Sequence, residues 1–528
     1  MPGAHSRSIA DLARERLGFD ALRAGQEQAV AAAAAGRDVL AVLPTGGGKS
    51  AIYQLAGLLR GGPTVVVSPL IALQDDQLAH LRAAGLPATV LNSSQSATAR
   101  TAALVEACGP EEFIFVSPEQ LSNEQTRAAL RRARPGLFVV DEAHLVSEWG
   151  RDFRPDYLRL GAQADDLGAA VRIALTATAA PPVRDEICRR LKLRDPEVVI
   201  GDFDRPGIQL SVQHARSPED KQRLIAQAAD ELAGAGIVYA ATHAGAEAAR
   251  DTLTAAGQRV ELYHAGLSPA ARRGAMTTFL EGSARIVVAT VAFGMGVDKA
   301  DVRWVLHADA PPSLDAYYQE LGRAGRDGDP AEARLLYRPQ DVGAARHLTA
   351  RGISEPVLAE VAAGLAITGT GRLGARSTTL AMTRLVDVGA AAWTPDGGVR
   401  WTGAIDVAGA LAASHEVSER EREVERSRLE MMRRYAEHTG CRRSFLLSYF
   451  GQDYPGPCGA CDNDRRHRAA TPDDRPFPVG ARVASDRWGA GTVQRYDGDQ
   501  VTVLFDQHGY RDLLVSLVTA RGLLRAAG

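Results

Sequence analysis

Short, mostly apolar runs recur up to about residue 340, at 39–43, 64–68, 113–117, 137–140, 172–175, 237–240, 285–289 and 304–308, with amphipathic helix-favouring stretches between them. A strand that alternates apolar and polar residues buries one face, whereas a continuous apolar run is buried on both. Strands of the second kind divided by helices specify parallel sheets covered on each side, an α/β fold. The segment Phe203-Asp204-Arg205-Pro206-Gly207 interrupts the pattern, so the strands are expected to form two sheets with a seam near 202–207.

At 528 residues the chain is too long for one core, and at roughly 150 residues per domain it should hold about three or four. A hydrophobic content of 45% and a charged content of 24% are those of a soluble globular protein. The first residues carry no apolar core of signal-peptide length, and no later run is long enough to span a bilayer. A cytoplasmic location is expected, at the nucleoid in a bacterial cell. The net charge of −3 provides no global basic field, so nucleic-acid binding would have to be built locally. Of the five cysteines, Cys441, Cys458 and Cys461 cluster near the C-terminus, which suits a metal site in a reducing compartment rather than a disulfide framework. Lysine occurs only at Lys49, Lys192, Lys221 and Lys299, arginine having replaced it elsewhere. A lysine kept at position 49 therefore points to a task for a compact ammonium.

Beyond residue 345 the pattern changes. Helical stretches at 356–365 and 378–388 precede a hairpin-like segment at 392–401, which reads as a winged helix or as a small helical connector. Residues 416–438 form a charged helix whose charges are most simply a solvated face. A polar linker at 468–478 leads to alternating apolar residues around an Asp-Gly turn, expected to build a small antiparallel barrel from 479 onward.

Residues 39–50 run Val-Leu-Ala-Val-Leu-Pro-Thr45-Gly46-Gly47-Gly48-Lys49-Ser50, a buried strand followed by a glycine loop and a helix start. Glycines let backbone N–H groups face inward and cradle phosphates at a helix N-terminus. Lys49 would reach the terminal phosphates of ATP, and the Ser50 hydroxyl would bind Mg²⁺. The strand 137–140 ends on Asp141 and Glu142, at the strand edge where ligands of parallel sheets bind. There Asp141 would hold Mg²⁺ and Glu142 would activate the attacking water.

Residues from about 15 to 340 resemble the core of RecQ-type DNA helicases of superfamily 2, with a DEAH-type box, motif after motif. Gly18-Phe19-Asp20-Ala21-Leu22-Arg23-Ala24-Gly25-Gln26 is similar to the family's adenine-recognition motif, with Leu22 where an aromatic is usual. The resemblance implies that Gln26 reads the adenine edge, assisted by Arg23, with Phe19 stacking. Further matches begin at Ser68-Pro69, Ser117-Pro118, Leu175-Thr176-Ala177-Thr178 and Ala289-Thr290, the last running to Asp298-Lys299. The most specific is Tyr317-Tyr318-Gln319-Glu320-Leu321-Gly322-Arg323-Ala324-Gly325-Arg326.

That family pattern implies two tandem RecA-like domains, 1–200 and 201–345, with Gln319 among the ATP-binding residues. Arg326 would be the arginine finger and Arg323 its support. His144, Thr176, Thr178 and Asp298 would couple hydrolysis to movement. Trp149, Phe153 and Arg154 lie in an aromatic-rich stretch suited to stacking bases and neutralising phosphates of a single strand. Core packing accounts more readily for the neighbouring Tyr157. Ser117 is a further expected DNA contact.

The resemblance extends to residues 411–467, similar to the family's zinc-binding segment, following a separate module at 346–410. Four cysteines are usual there, and this chain has Cys441, Cys458, Cys461 and Asp464. The readings are a Zn²⁺ site completed by Asp464 or a nearby histidine (His438 or His467), or a metal-free remnant. Residues 479–528 resemble the Tudor-like tail of UvrD-type helicases, either a module for a protein partner or a purely structural barrel. The function implied is ATP- and Mg²⁺-dependent 3′→5′ unwinding of DNA in repair and recombination, on single-stranded and tailed duplex DNA. The rivals are an RNA helicase and a duplex translocase that separates no strands.

Overall fold

The computed structural model describes residues 8–44, 46–69, 71–92, 113–146, 155–294, 299–341, 353–394, 398–464, 475–497 and 500–526. They form two compact units, the first from residues 1–201 and 351–422, the second from 202–350 and 423–528.

In the first unit seven strands lie in the spatial order Ala88–Leu91, Phe113–Val116, Thr64–Val67, Leu137–Val140, Val171–Thr176, Val39–Val42 and Glu197–Ile200, every pairing parallel. The inner strands are buried at each position, as continuous Val, Ile, Leu and Phe runs require. The expected strands are present. Sequence reading passed over Glu197–Ile200 because it is an edge strand with only Val199 buried. The order sets Leu137–Val140 and Val39–Val42 on either side of Val171–Thr176, so the segments leaving these three strands emerge together along one sheet edge.

Residues 353–422 complete this unit. A helix Glu355–Thr368, a strand Thr370–Gly371, a helix Arg376–Asp387 and a hairpin of Ala391–Trp393 with Val399–Trp401 follow one another. This is a winged-helix-like arrangement with its own core of Leu358, Leu365, Ala381, Leu385 and Val399, so it is more than a connector. Arg190 pairs with Asp387 at 2.5 Å and Arg159 lies 4.9 Å over the Trp393 ring, joining the module to the parallel-sheet body.

The second unit holds a six-stranded parallel sheet in the order Val260–Tyr263, Ile286–Ala289, Ala235–Tyr239, Val302–His307, Ala331–Tyr337 and Ile208–His214. The charged helix expected from 416 begins at Val407 and runs to Glu437. Its apolar start, Val-Ala-Gly-Ala-Leu-Ala-Ala, lacks the charge pattern that marked the rest. The helix Arg442–Tyr449 follows. The C-terminal module is a five-stranded antiparallel sheet, Gly509–Leu514, Gln500–Phe505, Gly489–Asp497, Arg482–Ser485 and Arg525–Ala526.

One side of that sheet is taken by the unit's own helices. The Arg495 guanidinium sits 3.9 Å over the Phe445 ring, and Tyr510 stacks on Tyr449 with centroids 5.4 Å apart. Arg511 pairs with Glu423 and Arg434 with Asp512. The barrel is thus built into this unit.

Candidate nucleotide and metal sites

The phosphate loop leaves Val39–Val42 and enters the helix Lys49–Arg60. Gly48 has φ +71°, a conformation that favours glycine, and a Cβ there would lie 2.5 Å from Gln26 Nε2 and displace that amide. Gln26, 3% exposed, donates from Nε2 to the carbonyls of Gly47 (3.1 Å) and Gly48 (2.8 Å), while its Oε1 accepts from Arg23 N–H at 2.6 Å. The residue expected to read adenine therefore also braces the loop, a role that becomes visible only once chain folding brings the two segments together. Phe19 is partly buried against the core and the Arg23 side chain is exposed. Lys49 Nζ donates to the Leu43 carbonyl at 3.3 Å, and Ser50 follows it in the first helical turn. Thr45 lies outside the described residues.

Asp141 continues the strand ladder, its N–H donating to the Val67 carbonyl at 2.9 Å. Burial, reinforced by the neighbouring Glu142 charge, pushes its carboxyl up to about 7, against the pull of Lys49 and His144. A divalent cation would relieve that desolvated charge, which fits the expected Mg²⁺ ligand. Glu142 sits at φ +48°, left-handed backbone that costs a residue with a Cβ roughly 1 kcal/mol. The cost is borne at the residue expected to activate water.

A polar chain leads away from Glu142. His144 Nδ1 lies 3.3 Å from Glu142 Oε2 and 3.0 Å from Thr176 Oγ1. Thr176 donates its one hydroxyl proton to the Thr178 carbonyl at 3.0 Å and accepts from Thr178 N–H at 3.3 Å. With that proton committed, His144 Nδ1 is the donor toward Thr176. Three of the expected coupling residues are thereby one hydrogen-bonded group. Asp298 lies outside the described residues, as do Trp149, Phe153 and Arg154. Tyr157 is fully buried and donates to the Asp141 carbonyl at 3.3 Å. Ser117 is buried at the start of the helix Pro118–Leu121, and its hydroxyl has no hydrogen-bond partner among the described residues.

In the second unit the helix Leu314–Leu321 carries Gln319 and leads into Arg323 and Arg326. Buried Glu320 holds it to the sheet through His307 Nε2 at 2.9 Å. Arg323, 6% exposed, packs so closely on Gly294 that a Cβ there would lie 2.8 Å from the guanidinium. It also contacts the Tyr239 hydroxyl, whose pKa burial pushes up to about 12. Arg205, not singled out from sequence, donates to the backbone just beyond this helix.

The donor atoms of Cys441, Cys458, Cys461 and Asp464 lie within 4.8 Å of one another. A tetrahedral site with Zn–S bonds of about 2.3 Å has ligand–ligand edges of about 3.8 Å, so this set fits Zn²⁺ with a small contraction. Ala460 N–H donates to Cys458 Sγ and Asp464 N–H to Cys461 Sγ, each at 3.4 Å, which disperses thiolate charge. Gly459 N–H donates to Asp464 Oδ2 at 3.0 Å and orients the carboxylate. His438 is not part of the cluster; its ring packs on Phe445 with centroids 5.0 Å apart. His467 lies outside the described residues. Bound there, zinc would be structural, tying the helix Arg442–Tyr449 to the loop 458–464.

Comparison with known proteins matches three families in order: DEAD/DEAH box helicase over residues 23–187, helicase conserved C-terminal domain over 220–328, and RecQ zinc-binding over 405–465. The ATP-dependent DNA helicase RecQ of Pasteurella multocida is 32% identical over 453 residues, 86% of this chain and 61% of the relative. The probable ATP-dependent DNA helicase RecS of Bacillus subtilis is 39% identical over 326 residues, 61% of this chain and 66% of the relative. The chain thus spans about three fifths to two thirds of the length of these curated relatives. Among solved structures, Mycobacterium smegmatis helicase Lhr bound to single-stranded DNA and AMP-PNP shares the fold with a TM-score of 0.52 and 20% identity, over 76% of this chain and 60% of that one.

Proposed function

We propose that this chain, which belongs to the RecQ family of superfamily 2 helicases, is an ATP- and Mg²⁺-dependent DNA helicase that travels 3′→5′ and separates duplex strands in repair and recombination. The observation that carries the reading is the convergence of the phosphate loop, the Asp141–Glu142 pair and the Thr176–Thr178 turn at the ends of three neighbouring parallel strands. Lys49 and the loop N–H groups hold the phosphates, and Ser50 and Asp141 hold Mg²⁺. Glu142 takes the proton of the attacking water, and Arg326 neutralises charge developing on the γ-phosphate, with Arg323 in support. Gln319 belongs to the same nucleotide-binding set. The chain Glu142–His144–Thr176–Thr178 gives hydrolysis a physical path into the protein, with Asp298 assigned to the same coupling.

Single-stranded and tailed duplex DNA are the proposed substrates, with Trp149, Phe153, Arg154 and Ser117 as the assigned contacts. Cys441, Cys458, Cys461 and Asp464 would hold one Zn²⁺. A protein partner of the C-terminal barrel would have to take the face that helix Arg442–Tyr449 leaves open. No helix of the described residues is long and apolar enough to cross a membrane, and a DNA substrate implies work at the bacterial nucleoid.

Strand displacement on duplexes with a 3′ or a 5′ single-stranded tail tests the reading. The 3′-tailed substrate should be unwound with ATP and Mg²⁺ and the 5′-tailed one left intact. Unwinding of neither, with ATP hydrolysis stimulated by duplex, would establish the translocase. Stimulation by single-stranded RNA in preference to DNA would establish the RNA helicase.

A further inference from the structure

Arg205 belongs to the segment that breaks the strand pattern, just before the edge strand Ile208–His214. Its guanidinium donates to the carbonyls of Gly322 (3.0 Å), Ala324 (2.8 Å) and Gly325 (3.3 Å). These belong to the turn that bears Arg323 and Arg326, just beyond the end of the helix Leu314–Leu321, whose own last carbonyls are taken by the N–H groups of Gly322, Arg323 and Ala324. A planar fork with donors in fixed directions serves three acceptors at once, which a single ammonium on a flexible stem does not.

The segment that carries Arg205 is in turn gripped from the Cys region. Arg443, buried in the helix Arg442–Tyr449, donates from Nη2 to the carbonyls of Ile208 (2.8 Å), Arg205 (3.2 Å) and Pro206 (3.4 Å). Its Nη1 pairs with Asp204 at 3.3 Å. Phe450 stacks on Phe203 with centroids 4.7 Å apart, and Tyr318 of the helix that leads into this turn donates to the Phe203 carbonyl at 2.7 Å. Cys461 itself bridges to Leu210 on the edge strand.

We propose that Arg205 is a positioning residue for the Arg323–Arg326 turn, and that Arg443 extends that control to the Cys segment. Folding of the metal-binding region then sets the geometry of the catalytic arginines through two guanidinium clamps, which act on backbone carbonyls apart from the Arg443–Asp204 ion pair. The inference rests on the reading of Arg326 as the finger. Its physical basis is the sensitivity of phosphoryl transfer to placement, where a shift of about 1 Å costs on the order of 10²-fold.

The test compares kcat and KM for DNA-stimulated ATP hydrolysis in the full chain carrying Arg205→Ala, Arg205→Lys, Arg443→Ala, the Arg205→Ala/Arg443→Ala pair, and Arg326→Ala. Arg205→Ala should lower kcat by about 10²-fold with KM for ATP within about twofold. Arg205→Lys, keeping one donor group, should recover about tenfold of that loss. The double variant should lose less than the product of the single losses, because both act on one segment. Bound zinc should be unchanged in Arg205→Ala. Should Arg326→Ala keep normal turnover, the finger assignment is wrong and this inference goes with it. Should Arg326→Ala abolish turnover while folded Arg205→Ala keeps its kcat, the finger stands and Arg205 only ties the turn to the seam segment. If Arg205→Ala does not fold, Arg205→Lys decides: wild-type kcat overturns the proposal, and a lowered kcat at constant KM supports it.

Discussion

The side-chain amide of Gln26 donates to the carbonyl of Gly48 at 2.8 Å, so the motif before the first strand and the phosphate loop after it form one hydrogen-bonded unit. Removing the amide takes that donor from the Gly47 and Gly48 carbonyls, and because the Gly48 carbonyl keeps Ala51 N–H at 3.1 Å the cost is about 1 kcal/mol. Gln26→Ala should raise KM for ATP about tenfold and narrow the preference for ATP over GTP. Initial rates with both nucleotides check this. An unchanged KM with an unchanged preference would make the contact incidental.

Lys49→Ala and Glu142→Gln should each abolish unwinding by different routes. Without Lys49, phosphate binding and hydrolysis both weaken; with Glu142→Gln, ATP still binds and is not turned over. Equilibrium binding of a fluorescent ATP analogue separates the two, and ordinary turnover in either folded variant would sink the site assignment. The φ of +48° at Glu142 adds a stability prediction. Glu142→Gly should be about 1 kcal/mol more stable than Glu142→Ala in denaturant melts, because only glycine adopts that backbone without strain.

Arg326→Ala should cut kcat by at least about 10³ with little change in ATP affinity, the signature of a group that acts in the transition state. Steady-state kinetics on the full chain measure both. A comparable loss of affinity with kcat preserved would make Arg326 a ground-state ligand.

One equivalent of zinc should co-purify with the chain, and Asp464→Cys should slow its loss to a chelator. The carboxylate is a poorer zinc ligand than thiolate, while three thiols already supply most of the affinity. Elemental analysis is the direct measurement. Well under one equivalent in folded, active protein would mean that packing alone holds this segment.

The barrel should contribute to global stability. Tyr510 is 6% exposed and stacks on Tyr449, whose hydroxyl donates to Asp315 near the start of the helix Leu314–Leu321. Tyr510→Ala should cost about 3 kcal/mol and lower the melting temperature of the unit. A melting curve identical to wild type would show that the barrel is only tethered.

The amino-acid sequence alone was enough for the α/β class, the two sheets, the phosphate loop, the acid pair and the cysteine cluster. Each of these is local: a continuous apolar run needs burial on both faces, a glycine loop needs φ above zero, and a Cys-x-x-Cys pair is close in the chain by construction. The strands Ile208–His214 and Glu197–Ile200 escaped because edge strands mix exposed and buried positions and so lose the continuous apolar signal. Contacts between distant segments were decided only by tertiary structure. Gln26 meets Gly48, Arg205 meets the carbonyls of the 322–325 turn, Arg443 meets the seam, and the barrel meets the helices before it. In the first three a side chain donates to a backbone carbonyl, which every residue carries, so no residue type at the receiving end marks the contact in the sequence. The fourth needs an aromatic ring under Arg495, and there too chain folding alone selects Phe445 as the one within reach.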